Sequence, residues 1–127
     1  MLTLSTLPKT WLFDVDGTIV KHNGHLHGGD ELLEGVKEFF AKISAQDKII
    51  LMTAREKKYE KQLISFLEKS GIRYDQIIFD LPHGERILVN DKKNSELETA
   101  YAINKDRDVA LKVSFKIQDL NFVPKSH

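Results

Sequence analysis

Four short apolar runs punctuate the first ninety residues, and three of them end on a polar residue that could do chemistry. Trp11-Leu12-Phe13 runs into Asp14, Ile49-Ile50-Leu51-Met52 into Thr53, and Ile87-Leu88-Val89 into Asn90-Asp91. Gln76-Ile77-Ile78-Phe79, ending in Asp80, is the fourth. Runs of this length bounded by turn residues predict buried strands. Between them the spacing changes. Leu32, Leu33, Val36, Phe39, Phe40 and Ile43 recur every three or four positions and predict a helix over 30–46, with Asp30 as its N-cap. Tyr59, Leu63, Ile64, Phe66 and Leu67 do the same over 56–70, with Gly71 as the stop signal. Strands alternating with helices predict a Rossmann-like α/β fold, a mostly parallel sheet flanked by helices.

The remaining stretches are less regular. Residues 19–29 are rich in Gly and His and predict a loop after the first strand. His22, His25 and His27 lack a fourth partner for structural zinc, so they read as solvated loop histidines. A short helix over 94–100 and a strand over 101–104 follow the fourth run. From Val109 to Ile117 apolar and polar residues alternate, which predicts a strand whose apolar face needs a partner, either a sheet edge or another subunit. The end, 124–127, reads as frayed.

Bulk properties narrow the function classes. A chain of 127 residues makes one domain with a core that needs no staples. Nineteen basic residues balance nineteen acidic ones, which argues against a broad basic surface for nucleic acid. Cysteine is absent, excluding disulfides and thiolate metal sites. No apolar run reaches the roughly 20 residues of a membrane span, and the first ten residues lack a signal-peptide layout. The expectation is a cytoplasmic protein.

The chemistry concentrates at Asp14 and Asp16. Two residues apart at a strand end, with Gly17 to bend the chain, their carboxylates can converge on one small volume. Such a pair favours a shared proton or a bound cation, and oxygen ligands of this kind suit Mg²⁺. At the second run, Thr53 offers a hydroxyl and Arg55 a fork of donors to a phosphate.

Asp14-Val15-Asp16-Gly17-Thr18 resembles the DxDGT signature of the haloacid dehalogenase superfamily, most of whose members are Mg²⁺-dependent phosphotransferases. The resemblance runs over residues 11–104 and leaves 105–127 as an extra C-terminal segment. It implies that Asp14 is the nucleophile and Asp16 the acid/base. It implies a metal held by the Asp14 side chain, the Asp16 carbonyl and Asp91, and a phosphate contacted by Thr53, Ala54 and Arg55. The family pair of acids stands here as Asn90-Asp91, and Glu96 is a candidate to support it. The family also places a cation beside the nucleophile, as a Lys-Pro pair in similar small proteins. Here that position reads Leu81-Pro82, and Arg86, Lys92, Lys93 and the lysines of the second helix are the candidate stand-ins, Arg86 first among them. No insertion has the length of a cap domain, only a short flap after the first strand.

The expectation is a capless phosphomonoesterase similar to phosphatases of capsule or lipopolysaccharide assembly. It would use Mg²⁺ on a sugar or polyol phosphate and oligomerise through its C-terminal segment. The alternatives are a catalytically idle binding protein and a receiver-like phosphoaspartyl module.

Overall fold

The computed structural model describes residues 1–93 and 97–119. These fall into two compact units. One comprises Pro8–His83 with Lys105–Lys112; the other comprises Met1–Leu7, Gly84–Asn104 and the chain from Val113. The fold is mixed α/β with parallel strands, as the alternating pattern predicts.

In the larger unit three strands form a parallel sheet in the order β2-β3-β4: β2 is Thr10–Asp14, β3 Lys48–Met52 and β4 Gln76–Ile78. Asp14 is level with Met52, and Met52 with Ile78, so all three strands finish at one edge. Side chains two apart share a face of a strand. Trp11 and Phe13 therefore point the same way, and they meet Phe39 and Phe40 of helix α1 (Val36–Ala41). Phe13 lies 4.6 Å from Phe40 and edge-on to Phe39 at 5.8 Å, ring centre to ring centre. Each such pair adds about 0.5–1.5 kcal/mol beyond simple burial. Trp11 Nε1 donates to Asp47 Oδ2 at 2.9 Å, satisfying the indole at the start of the sheet. Helix α2 (Glu60–Ser70) contributes Leu63 and Leu67, which join Ile49 and Leu51 of β3 in the fully buried core.

Both helices are shorter than the periodicity predicts, for identifiable reasons. The turn Lys57–Tyr59 before α2 is 3-10 rather than α, while Gly71, at φ +71°, closes the helix as expected. The first helix loses its first six positions. Gly35 sits at φ +85°, a left-handed conformation that starts α1 only at Val36. Ahead of it, Leu33 N–H donates to Ile19 O and Leu32 bridges Val20, so residues 30–34 run alongside the flap. Asp30 is therefore not an N-cap.

In the smaller unit β1 (Leu2–Leu4) pairs in parallel with β5 (Phe115–Ile117). The alternating C-terminal segment thus finds a strand partner within its own chain, although only three of its residues are extended. The strands expected over 86–91 and 101–104 are not formed: these residues carry no sheet ladder, and Ile87 and Val89 are more than four-fifths exposed. Residues 97–100 are not helical, whereas 94–96, Glu96 included, and the tail from 120 lie outside the described residues. Among the described residues no helix is long and apolar enough to cross a membrane.

Candidate active site

The carboxyl edge of a parallel sheet is where open α/β proteins bind ligands, and here it carries a connected set of polar side chains. Asp14 ends β2. Beyond it Val15 N–H still donates to Met52 O, keeping the chain in line with β3 for one more residue. The chain then turns sharply. The amides of Thr18, Ile19 and Val20 all point to the Val15 carbonyl, and Gly17, at φ +83°, donates to Val20 O at 2.7 Å. This tight loop holds Asp14 and Asp16 at one end of the strand. Thr18 Oγ1 closes it by donating to Asp14 Oδ2 at 3.1 Å.

The loop after β3 supplies the partners of Asp16. Thr53 is completely buried and donates through Oγ1 to Asp16 Oδ2 at 2.8 Å. The same hydroxyl accepts the backbone N–H of Arg55. Arg55 Nε donates to Asp16 Oδ1 at 3.0 Å, and its Nη2 lies 2.9 Å from the same oxygen. Both carboxylate oxygens of Asp16 are therefore held, each by a different residue. The turn is braced behind by Asp80 N–H to Arg55 O and Leu81 N–H to Thr53 O.

Arg55 does not stop at Asp16. Nη1 donates to Asp30 Oδ2 at 3.0 Å and Nη2 to Asp30 Oδ1, a fork-to-fork pair. The side chains of Arg55 and Asp30 are each about 1% exposed. Burial opposes the charge on Arg55, but the Asp30 and Asp16 carboxylates outweigh it and hold the guanidinium above its ordinary pKa. Asp30 is the residue that sequence reasoning missed. Its partner is 25 positions away, and an acid ahead of an apolar stripe reads locally as a cap.

The flap closes over one side. Lys21 N–H donates to Glu31 O, and a 3-10 turn at Gly24–Leu26 carries His25 onto Tyr59, ring centres 4.8 Å apart. The Nδ1 atoms of His22 and His25 are buried without a hydrogen-bond partner among the described residues. Burial first, then the positive field of Arg55, push the His25 imidazole below the usual histidine pKa, against the opposing pull of Asp16 and Asp30. Residues 105–108 pack against the turn itself: Lys105 Nζ donates to Gly17 O at 3.1 Å, and Asp108 N–H donates to the same carbonyl. From the sequence alone residues 104–108 read as a polar turn, with nothing local to mark the contact with Gly17.

Of the residues singled out from sequence, Asp14, Asp16, Thr53, Ala54 and Arg55 belong to the larger unit, at the sheet edge. Arg86 and Asp91 belong to the smaller one. There Asp91 Oδ1 accepts the N–H of Lys93, and its carbonyl accepts Thr99 Oγ1.

A divalent ion fits the donors in kind. Mg²⁺ takes one or two carboxylates, keeps several waters and is completed by substrate phosphate, and the loop offers the Asp14 carboxylate beside backbone carbonyls. The Asp16 carboxylate is already engaged by Thr53 and Arg55, so Asp16 would contribute through its carbonyl. Among the described residues no three acidic or histidine side chains gather around one point.

Comparison with known proteins adds a partial likeness of fold. A chain in the structure titled "Structure of Pnkp1/Rnl/Hen1 complex" superposes with a TM-score of 0.50 at 26% identity, over 65% of this chain and 31% of that one. This chain therefore spans under a third of that protein's length. No family model matches the sequence, and no curated protein matches it.

Proposed function

We propose that this protein is a phosphomonoester hydrolase that works through a phosphorylated Asp14. The observation that carries the reading is the pair of strand ends: one carboxylate closes β2, and two residues on, a second has its two oxygens separately held by Thr53 and Arg55, which follow β3. A carboxylate nucleophile splits one difficult displacement into two easier ones. In the first step an Asp14 oxygen attacks phosphorus in line, and the bond to the ester oxygen breaks as Asp16 protonates it. In the second, Asp16 takes a proton from water, whose oxygen displaces Asp14 and releases inorganic phosphate.

The hydrogen bonds suggest which Asp16 oxygen carries the proton. Oδ1 faces Arg55, which can only donate, whereas Oδ2 faces a hydroxyl that can donate or accept. Oδ2 can therefore gain and lose a proton while the Arg55 pairing stays intact. Mg²⁺, held by the Asp14 carboxylate and the Asp16 carbonyl, would supply positive charge to the phosphate oxygens. Thr53 and Ala54, just past β3, are the candidate contacts for the phosphate.

A capless member of the haloacid dehalogenase superfamily is the family reading, with a sugar or polyol phosphate of cell-surface polysaccharide assembly as substrate. The setting is the cytoplasm, and the C-terminal segment is the candidate contact between subunits. One observation favours a second reading, an idle or regulatory phosphoaspartyl module: Arg55, the expected phosphate ligand, already gives most of its donors to Asp16 and Asp30. A screen of phosphate monoesters with Mg²⁺ separates the two. Phosphate release supports the hydrolase; stable phosphorylation of Asp14 without release supports the module.

A further inference from the structure

Asp30 is assigned no part in the reading above, yet it is as deeply buried as Arg55, whose guanidinium fork it holds. A carboxylate that far from water is costly unless its partner repays it, and removing the partner of such a pair is strongly destabilising. Burial of this kind is therefore committed to one geometry. The geometry runs in a line: Asp30 grips Nη1 and Nη2, which fixes the plane of the guanidinium, and the fixed plane aims Nε at Asp16 Oδ1. Nη2 lies within reach of both carboxylates, joining them through one nitrogen.

The elements involved explain why a clamp is needed. Asp16 sits in a loop, Arg55 follows the end of β3 and Asp30 follows the flap, so no single strand or helix sets their mutual positions. A side chain held by hydrogen bonds to a second, itself held by a third, keeps its rotamer without relying on its own backbone. Arg55 is suited to this because its donors are planar and rigidly spaced, as a lysine's are not.

We infer that Asp30 is a positioning residue: through Arg55 it pins Asp16 Oδ1 and leaves Oδ2, opposite Thr53, as the oxygen that moves the proton. Arg55 is then part of the acid/base machinery and not a phosphate ligand. The inference deepens the hydrolase reading and rests on it for its catalytic consequence, while the clamp itself can be observed without turnover.

The test compares the wild-type chain with Asp30→Asn, which keeps the side-chain shape and loses the charge and one acceptor. Proton exchange at Arg55 Nε–H is followed by NMR, alongside kcat and KM on the best substrate of the monoester screen. The expected result is Nε–H exchange at least tenfold faster in Asp30→Asn, kcat down at least tenfold and KM within twofold. Unchanged exchange with unchanged kcat overturns the inference. So does a tenfold rise in KM at constant kcat, since that places Arg55 on the substrate. Should Asp30→Asn fail to fold, inorganic phosphate is titrated into the wild type instead. An unmoved Arg55 Nε–H resonance then supports the clamp, and a saturating shift overturns it. If the wild type hydrolyses nothing, the hydrolase reading falls, and the exchange comparison still decides the clamp.

Discussion

Thr53 Oγ1 lies 2.8 Å from Asp16 Oδ2, so the first residue past β3 holds the carboxylate that follows β2. Because Thr53 is completely buried, its hydroxyl has no water to fall back on. Thr53→Val keeps the branched shape but strands Asp16 Oδ2 and the Arg55 N–H. It should cost about 1–3 kcal/mol in urea unfolding and slow turnover. Thr53→Ser, which restores the hydroxyl, should recover most of both.

Arg55→Ala leaves two carboxylates, one of them fully enclosed, without their common partner. Breaking a buried pair in this way costs about 3–5 kcal/mol, a shift that thermal unfolding would show plainly. Arg55→Lys keeps the charge but not the fork, and its stability should fall between the two.

Two glycines at nearly the same backbone angle should respond differently to alanine. Gly71, at φ +71°, has open space where a Cβ would go. Its substitution should cost only the left-handed strain, about 1 kcal/mol. At Gly35, φ +85°, a Cβ would run into the carbonyl oxygen of Leu111, whose own amide is tied to Glu34 O. Gly35→Ala should therefore lose at least about 1 kcal/mol more, by the overpacking it forces. Equal losses in denaturant titrations of the two variants would count against the seating of Leu111 on Gly35.

His25 gives the fold a pH dependence with a definite sign. Its folded pKa lies below the unfolded value, so the unfolded chain binds the extra proton first as pH drops. Its favourable contribution is present above about pH 6.5, the ordinary histidine value, and is lost as pH falls through the folded pKa. Unfolding measured at pH 7.5 and 5.5 should show a smaller drop for His25→Gln than for wild type. A larger drop in the variant would reverse the sign.

The sheet was legible because each of its strands is a dense apolar run bounded by turn residues. Residues 48–52 and 76–78 emerge where the pattern puts them, and Asp14, Asp16 and Thr53 land on one edge because parallel strands bring like ends together. Periodicity failed where backbone geometry overrode it. Leu32 and Leu33 belong to the right stripe, but Gly35 and the hydrogen bond to Ile19 take them out of the helix. Ile87, Leu88 and Val89 form a comparably apolar run, yet they join no sheet ladder and stay exposed. The Arg55–Asp30 pairing and the Lys105 contact with Gly17 join positions 25 and 88 residues apart, which no local pattern encodes.

The most direct test measures phosphate released from a broad panel of phosphate monoesters with Mg²⁺, for the wild-type chain and for Asp14→Asn. The wild type should turn over at least one member of the panel and stop when Mg²⁺ is chelated. Asp14→Asn should stay folded and lose activity by about 10³-fold or more, as expected when a nucleophile is removed. Turnover at the wild-type rate in Asp14→Asn, or turnover indifferent to excess chelator, would contradict the account.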